Sequence, residues 1–199
     1  DVIIEAIVEK TEAKVSLFSG LTAVNTPDTI FATNTSSLSV SEIARQIEHP
    51  ARVAGMHFFN PAHLMQLVEV VRGEQTSAHV ANLLYALVKE MGKTPVRVKD
   101  SPGFIVNRVA RHYYLEAMEV VANGIADIAV TDRLLEAAGF RMGPFALMDL
   151  IGNDVNYAVT VSLYEAFQQA PRFKPGAMQA ELVAKGELGR KTGKGFYNY

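Results

Sequence analysis

A change in hydrophobic pattern near Asp100 constrains the fold of this chain more than any other feature. Before that residue, short runs rich in β-branched residues alternate with stretches in which apolar residues recur at helical spacing. Such alternation predicts an α/β domain with a mainly parallel sheet. After it, the periodic stretches are helical, with no β-like run except at the last residues. We therefore expect an α/β domain over 1–100 and an all-α domain over 101–199.

The predicted elements follow from these periods and from their stop signals. In the first domain we expect strands over 2–7, 29–33, 52–59, 67–71 and 94–98, and helices over 9–24, 41–46 and 80–91. In the second we expect helices over 102–123, 127–138, 143–150, 152–168 and 176–185. Ser101 and Pro102 predict the start of the first of these, because a capping serine followed by proline suits a helix N-terminus.

Composition excludes several classes of function. A formal net charge of -2 with no cluster of Lys and Arg disfavours nucleic acid as the main partner. The absence of cysteine excludes disulfides, thiolate metal sites and cysteine nucleophiles. No apolar run reaches the roughly 18 residues that a membrane span needs, so we expect a soluble, cytoplasmic protein. The chain begins at Asp1 and enters an apolar run at once, from which we expect an N-terminal truncation.

Two apparent motifs fail on inspection. The tail 189–195 has the glycines and lysines of a phosphate-binding loop, but Leu188 and Gly195 stand where that motif needs glycine and Ser or Thr. We therefore predict a solvated turn there. His57, His63 and Glu69 are evenly spaced, but Pro61 interrupts the strand between the two histidines and no further acid or histidine completes a ligand set. We expect no metal site.

Residues 55–71 carry the pattern most indicative of chemistry. His57 lies at the end of an apolar strand, and Glu69 lies within the next one. If the two strands are adjacent, an imidazole and a carboxylate meet at the edge of the sheet, as a general base and its orienting partner. Glu69 is flanked by apolar residues, where a charge is costly unless it is paired. The alternative is an incidental His and Glu on a partly exposed strand.

Two further polar positions are open to more than one interpretation. Ser36 and Ser37 follow a predicted strand and either cap the next helix or face a ligand. Asn107 falls early in the long helix beside apolar residues, so it either satisfies loop backbone or faces a ligand.

Six segments in collinear order resemble the L-3-hydroxyacyl-CoA dehydrogenases across essentially the whole chain. They are IIEAIVE (3–9), FATNTSSL (31–38), GMHFFNPAHLMQLVEVV (55–71), KDSPGFIVNRV (99–109), GFRMGPFALMDLIG (139–152) and GRKTGKGFYNY (189–199). The stretch GFRMGPFALMDLIGNDVNYAVT is similar to the bacterial branch that acts on 3-hydroxyadipyl-CoA or 3-hydroxybutyryl-CoA. The resemblance implies the last strands of a Rossmann-type NAD-binding domain followed by a helical dimerisation domain, and therefore a homodimer.

The resemblance also implies a role for each matching residue. His57 matches the base that takes the proton of the substrate 3-hydroxyl while hydride passes to NAD, and Glu69 matches its carboxylate partner. The matches to substrate-binding residues are Ser36, Asn60 and Asn107. The matches to cofactor-binding residues are Glu9, Lys14 and Asn34. The implied reaction is oxidation of an L-3-hydroxyacyl-CoA to the 3-oxoacyl-CoA.

Two departures from the family pattern bear on this expectation. No G-x-G-x-x-G turn occurs in the chain, although that turn holds the pyrophosphate of NAD; we expect the chain alone to be inactive. Gln66 stands where many relatives carry lysine. Two alternatives stay open, a related dehydrogenase of sugar acids such as L-gulonate and a non-catalytic dimerising fragment.

Overall fold

The computed structural model describes residues 1–199, and these form two compact units, Asp1–Ile105 and Val106–Tyr199. The first unit is built on a sheet of five strands and the second is all-α. No helix in either unit combines the length and the apolar character that crossing a membrane requires.

The first unit is a mixed five-stranded sheet with helices. Its strands are β1 (Val2–Glu5), β2 (Ile30–Thr33), β3 (Val53–Phe58), β4 (Leu67–Arg72) and β5 (Thr94–Lys99), and its helices are α1 (Thr11–Thr22), α2 (Val40–Ala44) and α3 (Ala78–Glu90), with a short 3-10 helix at Pro50–Arg52. The spatial order is β1-β2-β3-β4-β5. Only the β3–β4 pair is antiparallel, which confirms the mainly parallel sheet expected from the sequence.

Helices cover the sheet because alternate strand residues point to opposite faces. On one face Met56 and Val68 pack with Leu84 of α3. On the other, Val53 packs with Phe18 of α1 and with Ile43 of α2. His57 lies an even number of residues from Val53, which directs its side chain to the face that α1 and α2 cover.

The second unit contains five helices. They are α4 (Val106–Ala122), α5 (Ile128–Ala137), α6 (Pro144–Ile151), α7 (Asn153–Ala166) and α8 (Ala177–Ala184), with 3-10 helices at Pro171–Phe173 and Arg190–Thr192. Its core joins Tyr114, Leu115 and Met118 of α4 to Phe145 and Met148 of α6. Asp127 caps α5 by accepting a hydrogen bond from the backbone N–H of Val130.

The predicted start of the long helix at Pro102 is wrong, since α4 begins at Val106. Gly103 and Phe104 have φ values of 70° and 49°. The left-handed region that these angles occupy cannot continue a right-handed helix. The segment instead forms a turn in which the N–H of Phe104 donates to the carbonyl of Ser101 over 2.9 Å. A serine-proline pair therefore marks a turn here rather than a helix cap.

The prediction of a solvated turn at 189–195 is also incomplete. Lys191 and Lys194 are on the surface, but Gly189 and Gly195 lie directly against Asp149, where a Cβ atom would collide with it. Asp149 is 1% exposed and accepts hydrogen bonds from the backbone N–H groups of Phe196 and Tyr197 over 3.0 and 2.9 Å. These glycines are required by close packing around a buried carboxylate.

Candidate active site

The side chains of His57 and Glu69 meet as the sequence predicts. They are direct cross-strand partners in the antiparallel β3–β4 pair, and His57 Nδ1 lies 2.8 Å from Glu69 Oε2. Both residues are buried, at 3% and 1% exposure. A carboxylate only accepts hydrogen bonds, so Nδ1–H donates to it and Nε2 keeps the lone pair that a base needs.

The pair lies near the ends of two inner strands. We expected it at the edge of the sheet, but β3 and β4 are the third and fourth of five strands, so that part of the prediction is wrong. Backbone pairing on both sides of each strand fixes the register of the two residues. The imidazole is therefore held by the sheet as well as by its carboxylate.

The turn that precedes α4 completes the surroundings of the pair. The backbone N–H of Ile105 donates to Glu69 Oε1 over 2.9 Å, so both oxygens of the carboxylate accept hydrogen bonds. The ring of Phe104 lies 5.7 Å from the His57 ring, and that of Phe59 lies 4.5 Å away on a tilted plane. These contacts fix the plane of the imidazole. Phe104 and Ile105 were not predicted from the sequence as part of the site. The one signal for them was Phe104 itself, a bulky residue directly after Gly103 in a segment expected to be helical.

Glu9 and Lys14 lie in a network of charges at the carboxyl ends of β1 and β2. Lys14 is 1% exposed, and its Nζ lies 2.7 Å from Glu5 Oε1 and 3.3 Å from Glu9 Oε2. Thr33 Oγ1 donates to the other oxygen of Glu5 over 2.7 Å. The ammonium of Lys14, on α1, therefore joins a carboxylate at the end of β1 to one in the turn that follows it.

The same Glu9 carboxylate organises the loop that contains Ser36. Its Oε1 accepts hydrogen bonds from the N–H groups of Ser36 and Ser37 over 2.8 and 3.1 Å and from the Thr35 hydroxyl over 2.6 Å. Although burial raises the pKa of Glu9, these bonds and the charge of Lys14 lower it below its usual value. The structure thus brings Glu9, Lys14 and Ser36 together.

Ser36 and Ser37 do not cap the following helix, so that interpretation is wrong. The cap of α2 is Ser39, whose side chain accepts a hydrogen bond from the N–H of Glu42. Ser39 also donates to Asp100 over 2.8 Å. The capping role therefore lies three residues beyond Ser36.

The remaining predicted residues lie at the ends of β2 and β3 and at the start of α4. Asn34 Oδ1 accepts a hydrogen bond from the N–H of Phe58 over 2.8 Å, which ties the end of β2 to the end of β3. Asn60 is exposed in the turn after β3. Asn107 lies in the first turn of α4 and so belongs to the second unit. No three His, Cys, Asp or Glu side chains are grouped in a way that could hold a metal ion.

The surface next to Asn34 suits a flat ring such as nicotinamide. Ile7 and Val8 follow the carboxyl end of β1 and are 44% and 58% exposed. Ligands of parallel α/β sheets bind outside the carboxyl ends of the strands. Exposed apolar side chains at such an edge fit the face of that ring, and Asn34, whose N–H donates to Glu5 O at the end of β1 over 2.8 Å, carries an amide that suits its polar carboxamide. The residues present therefore fit this end of NAD.

The sequence matches two family models along its length. Residues 1–101 match the model described as "3-hydroxyacyl-CoA dehydrogenase, NAD binding domain", and residues 103–199 match "3-hydroxyacyl-CoA dehydrogenase, C-terminal domain". The chain is 52% identical over its whole length to the 3-hydroxyadipyl-CoA dehydrogenase of Escherichia coli, of which it spans 42%. It is 44% identical to the 3-hydroxybutyryl-CoA dehydrogenase of Clostridioides difficile, of which it spans 71%.

A solved structure repeats this similarity. The (S)-3-hydroxybutyryl-CoA dehydrogenase of Ralstonia eutropha superposes on the whole chain with a TM-score of 0.96 at 40% identity, and the match covers 70% of that chain. The two family models and the relative from Clostridioides difficile together settle the family. This chain belongs to the 3-hydroxyacyl-CoA dehydrogenase family.

Proposed function

We propose that the protein oxidises L-3-hydroxyacyl-CoA thioesters to 3-oxoacyl-CoA with NAD, using His57 as the base. The observation that carries this proposal is the buried His57–Glu69 pair, with Nδ1 2.8 Å from the carboxylate and Nε2 available for a proton. Relatives that act on 3-hydroxyadipyl-CoA and 3-hydroxybutyryl-CoA support the substrate class.

Oxidation of a secondary alcohol removes a proton from oxygen and a hydride from carbon. His57 Nε2 accepts the proton of the 3-hydroxyl, and Glu69 stabilises the imidazolium that results. The chemistry that NAD supplies when bound is acceptance of the hydride from C3. Ser36, Asn60 and Asn107 are proposed to bind substrate oxygens. Each of these roles follows from the family motif at that position.

On the cofactor side, Ile7, Val8 and Asn34 would hold the nicotinamide end. Glu9 and Lys14 support this side from behind, because their charges are engaged with each other and with the Ser36 loop. We infer that both residues shape the cofactor side as well as contact it. Nicotinamide binding is testable without turnover, by measuring the affinity of the full-length protein and of an Asn34→Ala variant for NADH by fluorescence.

The alternative on the same fold, a sugar-acid dehydrogenase, is not favoured. Both family models and the relatives named above are dehydrogenases of CoA thioesters by name. Turnover of L-gulonate in preference to an acyl-CoA would reverse this choice.

We also infer a homodimer formed through the helical unit. Its support is the family resemblance together with several large apolar side chains that this unit leaves exposed, among them Val109 at 67%, Leu134 at 63% and Phe140 at 51%. Sedimentation velocity of the full-length protein tests the inference, and a monomer at micromolar concentration would contradict it. A cytoplasmic location stays a prediction from composition.

The decisive experiment is reduction of acetoacetyl-CoA with NADH by the full-length protein. We expect His57→Ala to lower kcat by about 10²- to 10⁴-fold, the usual contribution of a general base. His79→Ala, at an exposed histidine on α3, is the matched control and should leave kcat unchanged. Unaltered turnover by His57→Ala would refute the proposed role.

A further inference from the structure

Arg111 is a buried cation whose hydrogen-bond partners are all neutral. It lies on α4, is 3% exposed, and its Nη1 donates to Asn156 O over 2.8 Å and to Thr160 Oγ1 over 3.0 Å. Its Nε donates to Asn107 O over 3.3 Å, and its guanidinium lies over the ring of Tyr114. None of these bonds uses Nη2, which leaves that group for another acceptor.

The positive charge of Arg111 has no carboxylate beside it. Burial lowers its pKa to about 10, and Tyr114 is the only ionisable neighbour with an electrostatic effect on it. A guanidinium with that pKa stays protonated at neutral pH. Buried charges in proteins are normally paired, because an isolated one is costly. The cluster therefore carries a full positive charge with no anion of this chain to balance it.

A second, independent observation points to the same missing acceptor. The amide Nδ2 of Asn156 is buried and has no hydrogen-bond partner, although buried polar groups nearly always have one. Its Oδ1 lies 3.2 Å from Arg111 Nη1, so the unpaired donor and the unbalanced cation belong to one cluster. Gln179 Oε1 also lacks a donor there, which a carboxylate would not supply. A carboxylate satisfies the other two needs, since the guanidinium fork matches its geometry.

The position of the cluster relates it to the substrate. Arg111 follows Asn107 by one helical turn, a rise of about 6 Å along α4. Asn107 is proposed to bind an oxygen near the reacting carbon. The distal end of a short acyl chain lies a few carbon-carbon bonds beyond that carbon, on the same scale of length as one helical turn.

From this geometry we propose that Arg111 and Asn156 bind a carboxylate at the far end of the acyl chain. The substrates are then short dicarboxylic 3-hydroxyacyl-CoA thioesters rather than methyl-ended ones. This inference rests on the proposed function, because it needs Asn107 to contact the substrate.

The test compares two substrates of equal chain length on the full-length protein, 3-hydroxyadipyl-CoA and 3-hydroxyhexanoyl-CoA. We expect the ratio of their kcat/KM values to favour the adipyl substrate by about 100-fold, the scale of a charge-assisted contact, and Arg111→Gln to bring that ratio close to one. Arg52→Gln is the matched control, since Arg52 is also buried and donates to the neutral acceptors Thr26 O and Thr22 Oγ1. It should leave the ratio unchanged.

Asn156→Asp provides the sharper variant, because it places a carboxylate of the chain's own beside Arg111. We expect it to lower the ratio as Arg111→Gln does, while the free energy of unfolding is kept or raised. Free adipate should inhibit the wild-type protein and not this variant, which separates a bound acyl-chain end from general anion binding at the surface.

The outcomes distinguish this inference from the proposed function. Absence of turnover with both substrates refutes the proposed function. Turnover with no preference in the wild-type protein, or equal losses on both substrates in Arg111→Gln, refutes the carboxylate site and leaves the dehydrogenase intact. A wild-type ratio near one refutes the carboxylate site even if a variant fails to fold, and a preference that Arg111→Gln or Asn156→Asp abolishes supports it.

Discussion

The two units bury their acids in different ways. In the first unit, the buried carboxylates Glu5 and Glu69 face ionisable partners, Lys14 and His57. In the second, the buried carboxylates Asp132 and Asp149 face neutral donors. Asp132 accepts from the N–H groups of Phe145 and Ala146 at the start of α6 and from the Tyr197 hydroxyl.

This difference separates a carboxylate that is proposed to act in catalysis from one that stabilises the fold. When the imidazole takes a proton, the carboxylate paired with it stabilises the positive charge that forms, as the partner of a general base must. An acid held by backbone N–H groups and neutral side chains faces no base that could exchange a proton with it. We therefore expect substitution of Glu69 to change activity and substitution of Asp132 or Asp149 to change stability.

The largest expected effect is the loss of stability on replacing Asp149. Asp149→Ala leaves the N–H groups of Phe196 and Tyr197 and the amide of Asn153 without their acceptor. We expect the free energy of unfolding to fall by at least about 3 kcal/mol, because three donors lose their acceptor at a cost of about 1–3 kcal/mol each. Urea denaturation measures it. Asp154→Ala, at a half-exposed acid bound to Lys191, should cost less than about 1 kcal/mol, and equal losses at both positions would contradict the comparison.

Glu69→Gln comes next and should act on rate. The amide cannot stabilise an imidazolium as a carboxylate does, so we expect kcat to fall about 100-fold, a barrier increase of about 2.7 kcal/mol. Stopped-flow or steady-state oxidation by the full-length protein measures it, with the free energy of unfolding as the second readout. Glu74→Gln, at an exposed acid of the same unit paired with Arg45, is the control. A variant with the kcat of the wild-type protein and a lower free energy of unfolding would place Glu69 among the acids that stabilise the fold.

Tyr197→Phe removes one neutral donor from Asp132 and should cost about 1–2 kcal/mol of unfolding free energy. Burial and the hydrogen bond to Asp132 raise the pKa of Tyr197. Because the folded pKa lies above the unfolded value, the stabilisation is fully present below about pH 10 and is lost as the pH rises through the folded value. Denaturation at pH 8 and above tests both parts, and a variant with wild-type stability at pH 8 would show that the bond contributes nothing.

Glu9→Gln should have the smallest effect on stability. The pKa of Glu9 is lowered in the folded state, so its contribution is present above the unfolded value near pH 4 and is lost as the pH falls through the folded value. The side chain is 37% exposed, which limits the contribution to less than about 1 kcal/mol. Unfolding free energies at pH 7 and pH 3 should differ less in the variant than in the wild-type protein. An equal difference in both proteins would show that Glu9 does not contribute to the loss of stability at low pH.

Sequence patterns predicted most of the fold, because the elements depend on local periods. Every strand of the sheet and every helix lies within a few residues of its expected range, and α4 fails only at its start. That failure has a physical cause. The choice of a left-handed turn at Gly103 and Phe104 is set by their packing, since Phe104 is buried with Val40, Val71 and Val98 from three separate elements. No local rule contains that information.

The His57–Glu69 pair was predictable because two residues 12 positions apart on consecutive strands come into contact when those strands are adjacent. Its surroundings were not, since the N–H of Ile105 meets Glu69 across 36 positions and Glu9 meets the Ser36 loop from a different segment. The patterns that resemble a metal site and a phosphate-binding loop share residue types with those motifs but not their spacing. Local patterns left open whether Ser36 caps a helix or faces a ligand, because they do not show that Glu9 accepts a hydrogen bond from the Ser36 N–H.

The hydrogen bond from the N–H of Ile105 to Glu69 has a consequence for how this site evolves. A main-chain group makes the contact, so every residue type except proline at position 105 preserves it. Selection can hold Glu69 fixed while the side chain at 105 drifts freely, and the two positions then carry no correlated substitutions. This anchor of the carboxylate is thus invisible to any comparison of residue identities, and a proline scan of the turn would reveal it.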